Sequence, residues 1–307
     1  MPFLHFKMIA LTEQNRKWVY LIILSIIWGT SYILIKKGLE GFTPIQLGSV
    51  RIMIAGILLF AIGFKSLRTI SRTEWKWVAL SGFIGSFFPM FLFAYAETEI
   101  DSSIAAILNS LVPLFTLFVG LFAFGISFTK NQLLGVLVGL LGAGFLIFFG
   151  KGVNPNQNYW YAGFVILATI CYACNANIIK SKLQNVSPMG IAVGNFASII
   201  LPAIIVLPFS GFFSVTVVNG KFFWSSLGYI LILCIIGTCI AKVMFNRLVQ
   251  LSSAVFSVSV TYLIPIVGIF WGMLDDEKFT LQQFGASLLI LFGVYLVNKK
   301  KTPRKTS

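Results

Sequence analysis

Histidine is all but missing: the 307 residues hold one, His5. Imidazole is the usual general base and the commonest metal ligand, so His-based catalysis and His-metal sites are excluded from the apolar body of the chain. Acids are scarce as well, with nine Asp and Glu against 23 Lys and Arg. None of the nine sits deep in an apolar run, and none forms a carboxylate pair there. Neither G-x-S-x-G nor G-x-x-x-x-G-K-[ST] occurs, so no nucleophile elbow and no P-loop engine for ATP is encoded. No polar stretch is long enough for a soluble output domain, which argues against a receptor. The cysteines Cys171, Cys174, Cys234 and Cys239 all fall in apolar runs, so there is no secretory disulfide framework. The C-x-x-C at 171–174 reads as small packing residues rather than a redox or metal pair.

What remains is apolar. The chain is 58% hydrophobic and 10% charged, where a soluble domain carries about 25% charge. Runs of about 20 apolar residues recur, each long enough to cross about 30 Å of hydrocarbon as a helix. Lipid leaves only helices and closed barrels able to satisfy the backbone, and the short alternating strands of a barrel are absent. The chain therefore reads as an all-α polytopic membrane protein. Ten transmembrane helices are expected near 17–37, 44–64, 75–96, 102–124, 131–150, 159–180, 187–209, 222–246, 252–274 and 281–298. Lys7, Arg16 and Lys17 precede the first, which is expected to act as an uncleaved signal anchor.

Basic residues set the orientation. Of the 23, five (Lys36, Lys37, Lys151, Lys221, Lys278) fall on one side, and Arg51 and Lys242 lie within segments. The remaining sixteen share the side of the N-terminal arm, which the positive-inside rule makes cytoplasmic. Both termini are then cytoplasmic, in a cell (inner) membrane. A formal charge of +14 is explained by these loops, so no nucleic-acid partner is expected.

The chain also repeats itself. An offset of 144 carries Ile35, Lys36, Leu39, Thr43 and Pro44 to Ile179, Lys180, Leu183, Ser187 and Pro188. It pairs Trp28 with Tyr172 and Arg51 with Asn195. An offset of 152 carries Leu111, Pro113 and Gly120 to Leu263, Pro265 and Gly272, and one of 150 carries Gln132 and Gly135 to Gln282 and Gly285. Residues 1–150 and 151–307 are thus read as two five-helix repeats. Five is odd, so the second must enter the membrane from the opposite face. Inverted repeats with a site near the midplane are a common architecture of secondary transporters.

Trp28-Gly29, Pro44 with Arg51, Leu111-Val112-Pro113-Leu114, Leu263-Ile264-Pro265, Glu277 and Gln282-x-x-Gly285 together resemble EamA-type members of the drug/metabolite transporter superfamily, over about 17–298. The first repeat departs from the pattern: Gly125-Ile126 stands where many relatives have Gly-Glu, so Glu277 has no symmetric partner. The resemblance implies a ten-helix carrier of small organic solutes such as amino acids, often an exporter. It also implies a central cavity lined by the first, third and fourth helices of each repeat.

Several residues could serve such a cavity. Arg51 and Lys242 are intramembrane charges, which by default suggest function. Arg51 could fork onto a carboxylate, or pair structurally with an outer acid such as Glu40. Lys242 could face the cavity or snorkel to the cytoplasmic end. Pro113 and Pro265 remove a backbone bond and free the carbonyls of Asn109 and Thr261. Trp28 and Tyr172 lie deep in the first helix of each repeat, with Asn175 one turn on. Tyr95, Asn246 and Tyr262 complete the set. Gly135/Gly139 and Gly190/Gly194 make G-x-x-x-G pairs, read as packing faces with a homodimer contact as a second use. The expected partners are lipid and a small-molecule substrate. Neither a cofactor nor a metal nor an enzyme activity is expected, and a membrane enzyme or a receptor is the alternative.

Overall fold

A computed structural model describes residues 13–124, 130–153 and 157–298. His5, both termini and Gly125-Ile126 lie outside the described residues. The helical segments, in chain order, are α1 Asn15–Leu39, α2 Pro44–Thr69, α3 Trp75–Ala96 and α4 Ser102–Ala123, then α5 Lys130–Val153. They continue as α6 Tyr159–Lys182, α7 Pro188–Phe209, α8 Phe223–Leu251 and α9 Ala254–Leu274, and end with α10 Leu281–Asn298. A single helical turn, Val215–Val218, precedes α8. Eight of the segments are long and apolar enough to cross a membrane, against the ten expected. Among the described residues, the apolar stretches found in α5 and α10 are Leu133–Phe149 and Leu281–Leu296.

Local chemistry starts these helices where the repeat places them. Thr43 caps α2: its hydroxyl accepts from Gln46 N, the Gln46 side chain accepts from Thr43 N, and Pro44 fills the first turn. Ser187 caps α7 by accepting from Gly190 N, again with proline next. Thr280 and Gln283 form the same reciprocal box before α10. Each device satisfies amides that a helix start leaves unpaired.

Two clusters of contacts mark the ends of the bundle. Lys36, Glu277, Ser102, Asp101 and Gln157 meet at one. Thr69, Ser187, Lys180 and Gln250 meet at the other. The C-terminus of α1 and the N-terminus of α6 therefore lie at the same end, so the two repeats run in opposite directions. Counterparts pack on each other: α2 on α7, α4 on α9, α5 on α10. The first helix of each repeat packs against the third and fourth of the other, α1 on α8 and α9, α6 on α3 and α4.

Pro113 and Pro265 do more than kink. Both sit in the first turn of a new helical piece, Val112–Phe124 and Ile264–Leu274. Before them the chain leaves the α-helix at Ser110-Leu111 and through a 3-10 turn at Ser259–Tyr262. The third helices are irregular too, with π-helical turns at Phe83–Phe87 and Leu233–Ile240.

The α5–α10 pair depends on glycine. A Cβ on Gly293 would lie 2.5–2.7 Å from backbone atoms of Gly135 and Gly139, so this G-x-x-x-G face is filled by α10. Gly293→Ala should cost about 1–3 kcal/mol, as overpacking does, and lower the thermal midpoint in detergent. Gly285→Ala on the same helix, where a Cβ meets nothing within 4 Å, should leave the midpoint unchanged; equal effects would contradict this packing.

Candidate functional site

A central cavity lies between the repeats, with about 100 Å³ open to the centres of water-sized molecules. Its lining alternates between the two copies. Trp28, Ser31 and Tyr32 come from α1 and Tyr172 and Asn175 from α6, with Asn109 from α4 and Thr261 from α9. The π turns contribute Gly85 and Ser86 from α3, and Gly237 and Thr238 from α8. Arg51, Met90, Phe93, Lys242 and Phe245 complete the polar and aromatic wall.

The π turns explain much of the polarity. A π turn leaves a backbone carbonyl free of its usual partner. Gly237 O accepts from Trp28 Nε1 at 3.1 Å, and Gly85 O accepts from Lys242 Nζ at 3.1 Å. Glycine is needed at both, because a Cβ on Gly237 would press on Ser31 Oγ and one on Gly85 would overlap the Asn175 side chain. Nothing in the notion of an apolar helix predicts these turns. One signal does exist: the offset of 152 that relates Pro113 to Pro265 also carries Gly85-Ser86 to Gly237-Thr238.

The structure brings six of the expected residues to the cavity wall: Trp28, Asn109, Tyr172, Asn175, Lys242 and Thr261, with Arg51 beside them. Asn109 is 4% exposed and its Oδ1 has no hydrogen-bond partner. Asn175 Oδ1 accepts from Ser81 Oγ at 2.6 Å, and Ser81 Oγ in turn accepts from Asn195 Nδ2. Pro113 and Pro265 shape the wall without lining it. Tyr95, Asn246 and Tyr262 lie elsewhere. Tyr95 meets the Phe164 ring at a tilt, Asn246 Nδ2 donates to Pro188 O at the Thr69 end, and Tyr262 reaches Val294 O on α10. The phase of the helix turns these three away from the cavity.

Lys242 does not reach the end expected to be cytoplasmic, and Arg51 does not pair with Glu40. Lys242 is 7% exposed and donates to Ser86 Oγ at 2.6 Å, so it does not snorkel. Arg51 Nε donates to Thr238 Oγ1 at 3.2 Å. Glu40 pairs with Lys37 instead.

Above the cavity, the Lys36 end is tied by one carboxylate. Asp276 adopts φ 57° and lets Glu277 N bond back to Gly272 O at 2.9 Å, closing α9 with a left-handed C-terminal turn. Glu277 is thereby aimed at α4, where it accepts from Ser102 N, Ser102 Oγ and Ser103 N. It also pairs with Lys36 at 2.8 Å, while Asp275 bridges Lys36 and Lys37. Burial raises the pKa of Glu277, but Lys36 and the serine donors outweigh it and hold the carboxyl below its usual range. Burial likewise raises Asp275, but Lys36 and Lys37 together outweigh it and hold that carboxyl below its usual range. Glu97, just past the end of α3, is 6% exposed and neither oxygen finds a hydrogen-bond partner. Burial, then the charge of Glu277, pushes its pKa well above the carboxylate range against the pull of Lys36 and Arg51.

The model of a family described as "EamA-like transporter family" matches residues 16–148 and again 159–299. An uncharacterized inner membrane transporter of Escherichia coli K12, YedA, is 29% identical over 91% of this chain and 89% of its own length. A protein of the same organism named "Probable amino-acid metabolite efflux pump" is 24% identical, over 92% and 95%. A solved crystal structure superposes with a TM-score of 0.65 at 16% identity, covering 92% of this chain and 96% of that one; this likeness is one of fold.

Glu97 makes a pH dependence. An acid whose folded-state pKa is raised favours the fold fully below its unfolded value, about 4.3, and loses that contribution as pH rises through the folded value. Asp275 and Glu277 act oppositely, contributing above the ordinary range and losing it only as pH falls through their lowered values. From about pH 5 upward the thermal midpoint should therefore decline through Glu97, and Glu97→Gln should flatten that decline. An unchanged slope in Glu97→Gln would assign the decline elsewhere.

Proposed function

The chain belongs to the EamA-like transporter family, and from that premise we propose that it is a secondary transporter that exports small organic metabolites, such as amino acids, by alternating access. The observation that carries this reading is the central cavity. It is walled by α1, α3 and α4 of one repeat, with Arg51 of α2, and by α6, α8 and α9 of the other, at the seam where two oppositely directed units can rock against each other.

In this reading α5 and α10 also cross the bilayer, giving ten crossings, and pack at the periphery as a pair. The excess of Lys and Arg places the Thr69 end in the cytoplasm and the Lys36 end outside, with both termini cytoplasmic in an inner membrane. The junction of Lys36, Lys37, Asp275 and Glu277 closes the outer end in the state described. Cargo enters from the cytoplasmic side when that end opens. It leaves when the outer junction parts while the cytoplasmic end stays closed. Trp28 and Tyr172, counterparts across the repeat, face the cargo from opposite walls. The name of the efflux pump relative supports amino-acid metabolites as a cargo class and export as a direction.

Comparison of metabolites secreted by cells with and without the protein should reveal the cargo, and uptake into proteoliposomes should reproduce its movement. Trp28→Ala and Tyr172→Ala should each cut transport to below about a tenth of wild type at equal membrane level. Full transport in both variants would remove the cavity from the pathway.

A further inference from the structure

Across the two repeats, counterpart residues at the cavity are chemically alike. Ser86 answers Thr238, Phe93 answers Phe245, and Asn109 answers Thr261, all at the offset of 152. Tyr32, answered by Ala176 at the offset of 144, breaks the rule without charge, and two other positions break it with charge. Lys242 answers Met90 at that same offset, and Arg51 answers Asn195 at the offset of 144. Both departures replace a neutral residue by a cation.

The two cations also converge. Arg51 Nε bonds Thr238 Oγ1, and Thr238 lies one turn before Lys242 on α8, so both charges reach one wall of the cavity. The ion pairs among the described residues involve Lys36 and Lys37 alone. Lys242 is met only by neutral acceptors, Ser86 Oγ and Gly85 O. No carboxylate lines the cavity; Glu97, the acid towards Arg51, lies outside the lining. A packing requirement would recur in both copies, yet Asn195 holds the place equivalent to Arg51 as a neutral donor to Ser81. Charge buried without a partner in a membrane protein points to a ligand or ion pathway.

We propose that the cavity takes a small organic acid as its anion, with the carboxylate between Arg51 and Lys242 and the carbon skeleton against Trp28 and Tyr172. The inference rests on the carrier reading and narrows its cargo from amino acids to organic acids, including those derived from amino acids. A guanidinium presents a planar fork that matches a carboxylate, and the ammonium beside it adds a second charge-assisted donor. A zwitterion gains the same two contacts but brings an ammonium into a wall with no acid. An amine gains neither.

The test uses purified full-length protein in detergent at fixed ionic strength, with thermal midpoint as the readout. The probes are butyrate, benzoate and phenylpyruvate, the amides butyramide and benzamide, the amines butylamine and benzylamine, and zwitterionic phenylalanine. At least one acid should stabilise the protein at a concentration at least tenfold below that needed for the amides, amines or phenylalanine. Lys242→Met and Arg51→Asn install the counterpart residues, and either should abolish that preference, whereas Lys242→Arg should keep it. If the neutral variants fail to fold, the wild-type order and Lys242→Arg decide. The proposal is overturned if no acid leads, if an amine or phenylalanine leads, or if the preference survives in both neutral variants. Failure here is separable from failure of the carrier reading. A changed secretion profile with zwitterion or amine cargo sinks the anion alone, and an unchanged profile sinks the carrier and the anion with it.

Discussion

Hydrocarbon offers a helix no water, so every backbone group freed within the bilayer must find its partner in protein. This chain frees several, and it does so in one place. The π turns of α3 and α8 and the breaks before Pro113 and Pro265 all come to the central cavity. Side chains from the opposite repeat complete them. Trp28 donates to Gly237 O, Lys242 to Gly85 O, and Ser25 to Val260 O in the broken α9. The irregular backbone, the cavity and the packing of the repeats are thus one arrangement. Peripheral helices α5 and α10 carry no such interruption and meet through glycine backbone contact instead.

Symmetry and its breach divide the labour. The shared features, paired caps at Thr43 and Ser187, paired π turns and paired prolines, build the seam. The unshared ones add charge. Lys242 and Arg51 polarise the cavity, and Glu277 closes one end by capping α4 and pairing with Lys36. Glu277 illustrates how little is needed for a closure: one carboxylate, held by a left-handed turn at Asp276, joins α1, α4 and the α9–α10 connection.

Much of this was legible in the chain. Capping chemistry is local, so Thr43-Pro44 and Ser187-Pro188 mark helix starts without knowledge of the fold. The repeat offset identifies Trp28 with Tyr172 because equivalent places keep equivalent chemistry. Other features depend on tertiary contact. Tyr95 and Tyr262 look like cavity residues by type and depth, but a helix turns about 100° per residue and packing sets its phase. Glu97 looks like a loop acid, since the sequence does not show that it is buried beside Lys36 at the end of α1. The π turns depend on donors from the other repeat, and their trace in the chain is the small pair Gly85-Ser86 matched by Gly237-Thr238. Among the described residues, eight segments rather than ten are long and apolar enough to cross a membrane, with α5 and α10 the two outside that count.

The central claim is that one cavity opens in turn to the two sides of the membrane. It is tested most directly by placing a single cysteine at Ser31 after replacing Cys171, Cys174, Cys234 and Cys239 by alanine. Membrane-impermeant thiol reagents would then be applied from each side of inside-out and right-side-out vesicles. The account predicts labelling from both sides, with conditions that speed one slowing the other, and protection by cargo on either side. Labelling confined to one side under every condition, or none at all, would contradict it.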